Sequence, residues 1–266
     1  MRPFSCYIEG IGLLGPGLSD WQAGRAALAG QVAYCRQPTV LPSPASLPPP
    51  ERRRCGAIVK LAIAVGREAA VAAGIDVATL ATVFSASGGD GNNCHEICQM
   101  LASDDRQISP TRFHNSVHNA ASGYWSIAAG AMAPSSVLCA HDASFGAGLL
   151  EAIAQTLADD VRVLLIACDT PHVEPLNSVR TITDEFGVGL VLAPQKSVNS
   201  LARITVALVL DHADRLTDPA LENIRANVPA ARCLPLLQAI AKGESAALTI
   251  DYLDTSRLAV GMEPCA

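Results

Sequence analysis

The sequence predicts an α/β fold: a mixed five-stranded sheet covered by helices on both faces, with a small α/β extension at the C-terminal end. Three observations predict it. Short apolar, β-branched runs alternate along the chain with longer helical stretches. Two of those stretches, residues 55–74 and 115–131, are apolar over most of their surface and so call for cover on more than one side. Half of the 266 residues are hydrophobic but only 4% are aromatic, so small aliphatic side chains must fill a sizeable core.

Each element follows from its own residues. Residues 6–14 (CYIEGIGLL) read as the first strand, stopped by Gly15, Pro16 and Gly17. Ser19 or Asp20 can cap a helix running to about Ala29. Residues 31–50 hold six of the seventeen prolines, which rules out a long helix or a central strand. Their many apolar side chains make this an ordered surface arm. A sandwiched helix at 55–74 leads to a core strand at 80–85. The glycine-rich loop 87–93 lacks the GxGxxG order and the lysine of a phosphate cradle. A helix at 93–102 follows it.

After the central stretch, residues 161–168 (VRVLLIAC) are the clearest buried strand. Residues 169–185 form a polar excursion containing Pro171 and Pro175. Residues 187–192 and 203–210 read as an antiparallel pair. The remaining 56 residues predict helices at 219–226 and 231–242, the second broken near Pro235, and a strand at 246–252. The division expected is one domain over 1–210, with 211–266 packed on it.

Composition narrows the function. Net charge is −6, and Arg52, Arg53 and Arg54 are the only basic cluster, so a nucleic-acid partner is not expected. That cluster reads as a solvated loop; its functional alternative is a docking point for an acidic carrier protein. Nine cysteines, odd in number and irregularly spaced, with no CxxC and no leader-like segment, predict free thiols in a reducing cytoplasm. No apolar run reaches the roughly 18 residues of a membrane span.

The chain is organised around residues 109–150. A buried helix at 115–131 ends at Gly130 and Pro134, and a short core strand occupies 135–140. His141, Asp142, Ala143 and Ser144 then turn into a helix at 145–157. Such an elbow presents a side chain at the positive end of a helix. Within this stretch Ser109-Pro110, Asn119, Gly123, Pro134-Ser135 and Ser144 fall in a pattern that resembles the N-terminal half of a β-ketoacyl synthase, a condensing enzyme of the thiolase-like fold. The resemblance covers roughly residues 5–210, including an opening Ile-Gly strand and the Leu28-Ala29-Gly30 close of the first helix. The string His114 to Asn119, with Tyr124-Trp125 after it, is similar to small condensing-enzyme-like proteins of aryl polyene pigment clusters.

The resemblance implies a nucleophilic cysteine at the elbow, but counting from Pro134 that position holds Asp142. A carboxylate there would form a high-energy anhydride with an acyl group and is a poor condensation nucleophile. The second half of a condensing enzyme, with its two catalytic histidines, needs about 58 residues before any loop is counted. It does not fit after Leu210. What is implied is an accessory or chain-length partner in fatty-acyl or aryl polyene assembly on acyl carrier protein. It would dimerise with itself or with a full-length ketosynthase through the 135–139 edge.

The alternative is an acyl-thioester hydrolase or acyltransferase using His114, His118, Asp142 or Ser144, although no GxSxG elbow is present. His114 and His118, four apart, would share a helix face and could ligate a metal with His141 or Asp142, but no complete ligand set is specified. Neither a metal nor another cofactor is expected. The structural expectations are that Asp142 caps the following helix, Cys139 is buried, Asn119 joins a buried hydrogen-bond network, and Tyr124 and Trp125 lie in the core.

Overall fold

Eight strands form one mixed sheet in the computed structural model, which describes residues 4–265. In chain order the elements are β1 (Phe4–Leu14), α1 (Trp21–Leu28), α2 (Pro49–Arg54), α3 (Ala57–Ala73), β2 (Ala81–Ser85), α4 (Gly91–Ala102), α5 (Pro110–His114), α6 (Ala120–Ala129) and β3 (Ser135–Leu138). They continue as α7 (Ser144–Ala158), β4 (Val163–Asp169), α8 (Leu176–Val179), β5 (Phe186–Ala193), β6 (Ala202–Val209), α9 (Pro219–Asn227), α10 (Leu234–Lys242), β7 (Ala246–Asp251) and β8 (Arg257–Pro264).

The strand order is β3-β2-β4-β5-β1-β6-β8-β7, with β2 parallel to β3 and β4 and every other pairing antiparallel. The sheet is therefore wider than the five strands expected. The reason is β1, which is 11 residues long and takes two partners. Tyr7 to Leu14 pair with β5, and Phe4 to Ile8 pair with β6. The segments at 187–192 and 203–210 are thus not a pair, since β1 runs between them. β8 and β7 then extend the same sheet, and β8 had no clear sequence signal.

Two cores sandwich the sheet, and β4 shows how. Val163, Leu165 and Ala167 face one core, while Leu164, Ile166 and Cys168 face the other. A strand buried on both faces has no polar face to alternate with, so it reads as one continuous apolar run. On one side α3 lies directly on β1 and β5. Gly10 and Gly12 permit this, because a Cβ there would overlap the carbonyl oxygens of Ala69 and Val65. On the other side α7 packs through Phe145, Leu149, Ala152 and Ile153, joined by the turn Pro229–Cys233 and by α10.

Residues 31–48 run as an irregular ordered arm. Gly17 N–H donates to the Gln37 carbonyl at 2.9 Å, the Thr39 hydroxyl to the Glu185 carbonyl at 2.8 Å, and Arg36 pairs with Asp184 at 2.5 Å. The basic cluster is not a loop. Pro49 starts α2, where a missing N–H costs nothing, and Arg52 donates to the carbonyls of Ala45 and Leu47.

The helix expected over 115–131 is broken. α5 ends at His114, and α6 starts only at Ala120. Asn115 accounts for the break. Its buried amide donates to the Arg54 carbonyl at 2.8 Å and accepts from the Tyr124 hydroxyl at 3.0 Å, anchoring residue 115 against α2 rather than in a continuing helix.

Candidate functional site

The elbow joins the edge strand β3 to α7. His141–Ala143 make a single 3₁₀ turn, and His141 takes a left-handed backbone with φ 52°. Histidine adopts that region only at some cost, which marks the turn as locally constrained. Ser144 does the constraining. Its hydroxyl donates to the His141 carbonyl at 2.7 Å and accepts from Ala140 N–H at 3.1 Å, while the Ser144 carbonyl accepts from the Ser85 hydroxyl at 2.5 Å. The side chain is buried and already occupied.

Asp142 does not cap α7, as no side-chain cap bond exists there. Two guanidinium groups hold its carboxylate instead. Arg180 Nη2 lies 2.9 Å from Oδ1 and Arg232 Nη2 lies 3.5 Å from Oδ2. Arg232 also donates to the Asp142 carbonyl at 2.5 Å. Arg180 Nη1 meets His141 Nε2 at 2.5 Å. His141 Nδ1 lies 3.5 Å from Asp142 Oδ1. These four side chains, with Thr181 and Asn227, line a cleft of about 330 Å³.

Behind this cleft, Asp169 ends β4 fully enclosed. It accepts from Ser87 N–H at 2.8 Å, the Ser87 hydroxyl at 2.6 Å and Ala230 N–H at 2.8 Å. It thereby ties the end of β2, the end of β4 and the turn at 229–233 together. Burial pushes its carboxyl up to about 6, opposed by those donors and by the charge of Arg180. Sequence reasoning missed Asp169, Arg180 and Arg232. The only signal was a carboxylate closing an all-apolar strand; the arginines gave none.

The other candidates lie apart from the cleft. His114 is exposed, edge-on to Tyr124 at 6.2 Å. His118 lines a separate small cavity of about 30 Å³ with Phe84, Gly88, Val137 and Cys168, and its Nε2 is buried without a hydrogen-bond partner. That space holds about one water. Residues 115–119 are not helical, so His114 and His118 do not share a helix face. Among the described residues no three His, Cys, Asp or Glu side chains converge as metal ligands. No described helix is long and apolar enough to cross a membrane.

Cys139 is exposed rather than buried, because the edge strand leaves it uncovered, and its thiol donates to the Ser87 carbonyl at 3.2 Å. Asn119 is exposed too; the break before α6 turns it to the surface, and Asn115 fills the buried role. Tyr124 and Trp125 are in the core, as expected.

A family model described as beta-ketoacyl synthase, N-terminal domain, matches residues 21–251. No curated protein matches the chain. Among solved structures, the fold is similar to that of a ketosynthase (ApeO) in complex with its chain length factor (ApeC) from Xenorhabdus doucetiae. That match is 22% identical, covers 97% of this chain and 99% of the other, and has a TM-score of 0.72. The ishigamide ketosynthase/chain length factor matches over 100% of both chains, at 14% identity and a TM-score of 0.71. A type II polyketide synthase acyl-carrier protein in complex with its ketosynthase bound to the hexaketide (AntDE:AntF) matches over 100% of both chains, at 13% identity and a TM-score of 0.74. At these identities the likeness is one of fold.

Proposed function

Because this chain belongs to the β-ketoacyl synthase N-terminal domain family, we propose that it is a non-condensing partner subunit, of the chain-length-factor kind, for a full-length ketosynthase. The pair would build a fatty-acyl or aryl polyene chain on acyl carrier protein. The chemistry of the elbow carries this reading. Counted from Pro134, Asp142 takes the place where a condensing member holds its cysteine. A thiolate there receives an acyl group; a carboxylate would give an anhydride. Asp142 is in addition committed to Arg180 and Arg232.

Two surfaces suit the partners. β3 is an edge strand paired only with β2, and exposed Ile127 and Met132 flank it. An unpaired edge beside apolar side chains is a template for another chain, and we assign it to the ketosynthase. Arg53 and Arg54 stand exposed at the end of α2 and form a positive patch for an acidic carrier protein.

Co-expression with a full-length ketosynthase and its carrier protein, followed by size-exclusion chromatography and a condensation assay, tests the reading. A heterodimer is expected, with condensation dependent on the ketosynthase thiol and unchanged by Asp142→Ala. A chain that stays monomeric and ignores both proteins removes it. The hydrolase or acyltransferase alternative has less support, since the Ser144 hydroxyl is engaged and His118 lines a different cavity from Asp142. Acyl-thioester turnover abolished by both His118→Ala and Asp142→Ala would restore that alternative.

A further inference from the structure

The ordered arm leaves a cleft of about 340 Å³ between residues 42–46 and the outer face of α3. Lys60, Ile63, Ala64 and Arg67 form its α3 wall. Spacings of three and four residues put all four on one helix face. The wall is therefore an apolar floor with a cation at each end. The cleft shares no residue with the one at the elbow.

Two further observations point to an anion. Among the described residues neither Lys60 nor Arg67 has an ion-pair partner. Burial and Asp184 raise the pKa of Glu185 and the charge of Lys60 opposes them, yet no ion pair joins the two. On the facing wall, the Ser46 hydroxyl is buried with no hydrogen-bond partner among the described residues. A buried hydroxyl ordinarily has one. We propose that this cleft binds a small organic carboxylate with an apolar body.

The carboxylate accepts from the fork of Arg67 and from the Ser46 hydroxyl. Lys60 and Arg67 are about 10.5 Å apart along the helix axis, a gap that two long side chains close toward one anion. The hydrocarbon body lies on Ile63 and Ala64 and is removed from water there. Pro42 and Pro44 of the arm add apolar surface and offer no N–H, so the charged side chains fix which end of the ligand carries the oxygens. Inorganic phosphate would leave the apolar floor uncovered.

Titration of the isotope-labelled full chain with octanoate, followed by NMR, tests the proposal. Saturable shifts are expected, concentrated at residues 42–46 and 60–67. Arg67→Gln and Lys60→Gln should each weaken binding by at least about tenfold, and Ser46→Ala by less. Since neither cation is paired, both charge variants should melt close to wild type. Octanol keeps the chain and lacks the charge; inorganic phosphate keeps the charge and lacks the chain. Neither should shift these residues. Absent binding, octanoate shifts centred elsewhere, equal binding of octanol or phosphate, or unchanged affinity in either charge variant overturns the proposal.

Discussion

Asp169 is sealed from water, yet three donors point at it. With its carboxyl raised from 3.8 to about 6, the native state holds this proton more tightly than the unfolded chain does. Stability from this group therefore falls as pH rises from about 4 to about 6, and is level above that. The span corresponds to about 3 kcal/mol. Asp169→Asn removes the titration. The difference in unfolding free energy between wild type and variant should change by that order across the window, as measured by urea unfolding; a difference that does not vary with pH contradicts it. Residue-level expectations were correct where composition alone decides, as for Tyr124 and Trp125. The expectation failed for Asn119, because only the break between α5 and α6 decides that Asn115, four residues earlier and of the same type, is the buried one.

At the scale of elements, the contact of α3 with β1 and β5 is set by missing side chains. Gly12→Ala would drive a methyl group into the Val65 carbonyl, an overlap with backbone that no rotamer relieves. The expected cost is about 3 kcal/mol, lowering Tm by roughly 6–12 °C in thermal unfolding. A change below a degree or two would mean that α3 can shift at no cost. β4 was legible because burial on both faces leaves one unbroken apolar run. α2 was not, since two prolines and three arginines, with Pro48 just before them, look like a loop until Pro49 is seen in a first helical turn.

For the whole molecule, β3 ends the sheet, and its unpaired edge is where the proposed ketosynthase partner would dock. Ile127 and Met132 are exposed in the isolated chain, so Ile127→Glu with Met132→Glu should shift its stability by no more than about 0.5 kcal/mol per site. The same pair should weaken binding to a ketosynthase by at least about tenfold, since a charge buried at an interface core is costly. Titration by calorimetry or surface plasmon resonance measures this; unchanged affinity would move the interface elsewhere.

Local pattern determined most of the strands and helices, the ordered arm and the elbow, because hydrophobic period, proline and glycine act within a few residues. Tertiary structure alone decided that β1 divides β5 from β6, that β7 and β8 widen the sheet, and that Asp142 meets Arg180 and Arg232. Arg232 lies 90 residues from Asp142 along the chain. No periodicity reaches that far; a carboxylate and a guanidinium so separated meet only when the sheet order and the turn at 229–233 bring them together.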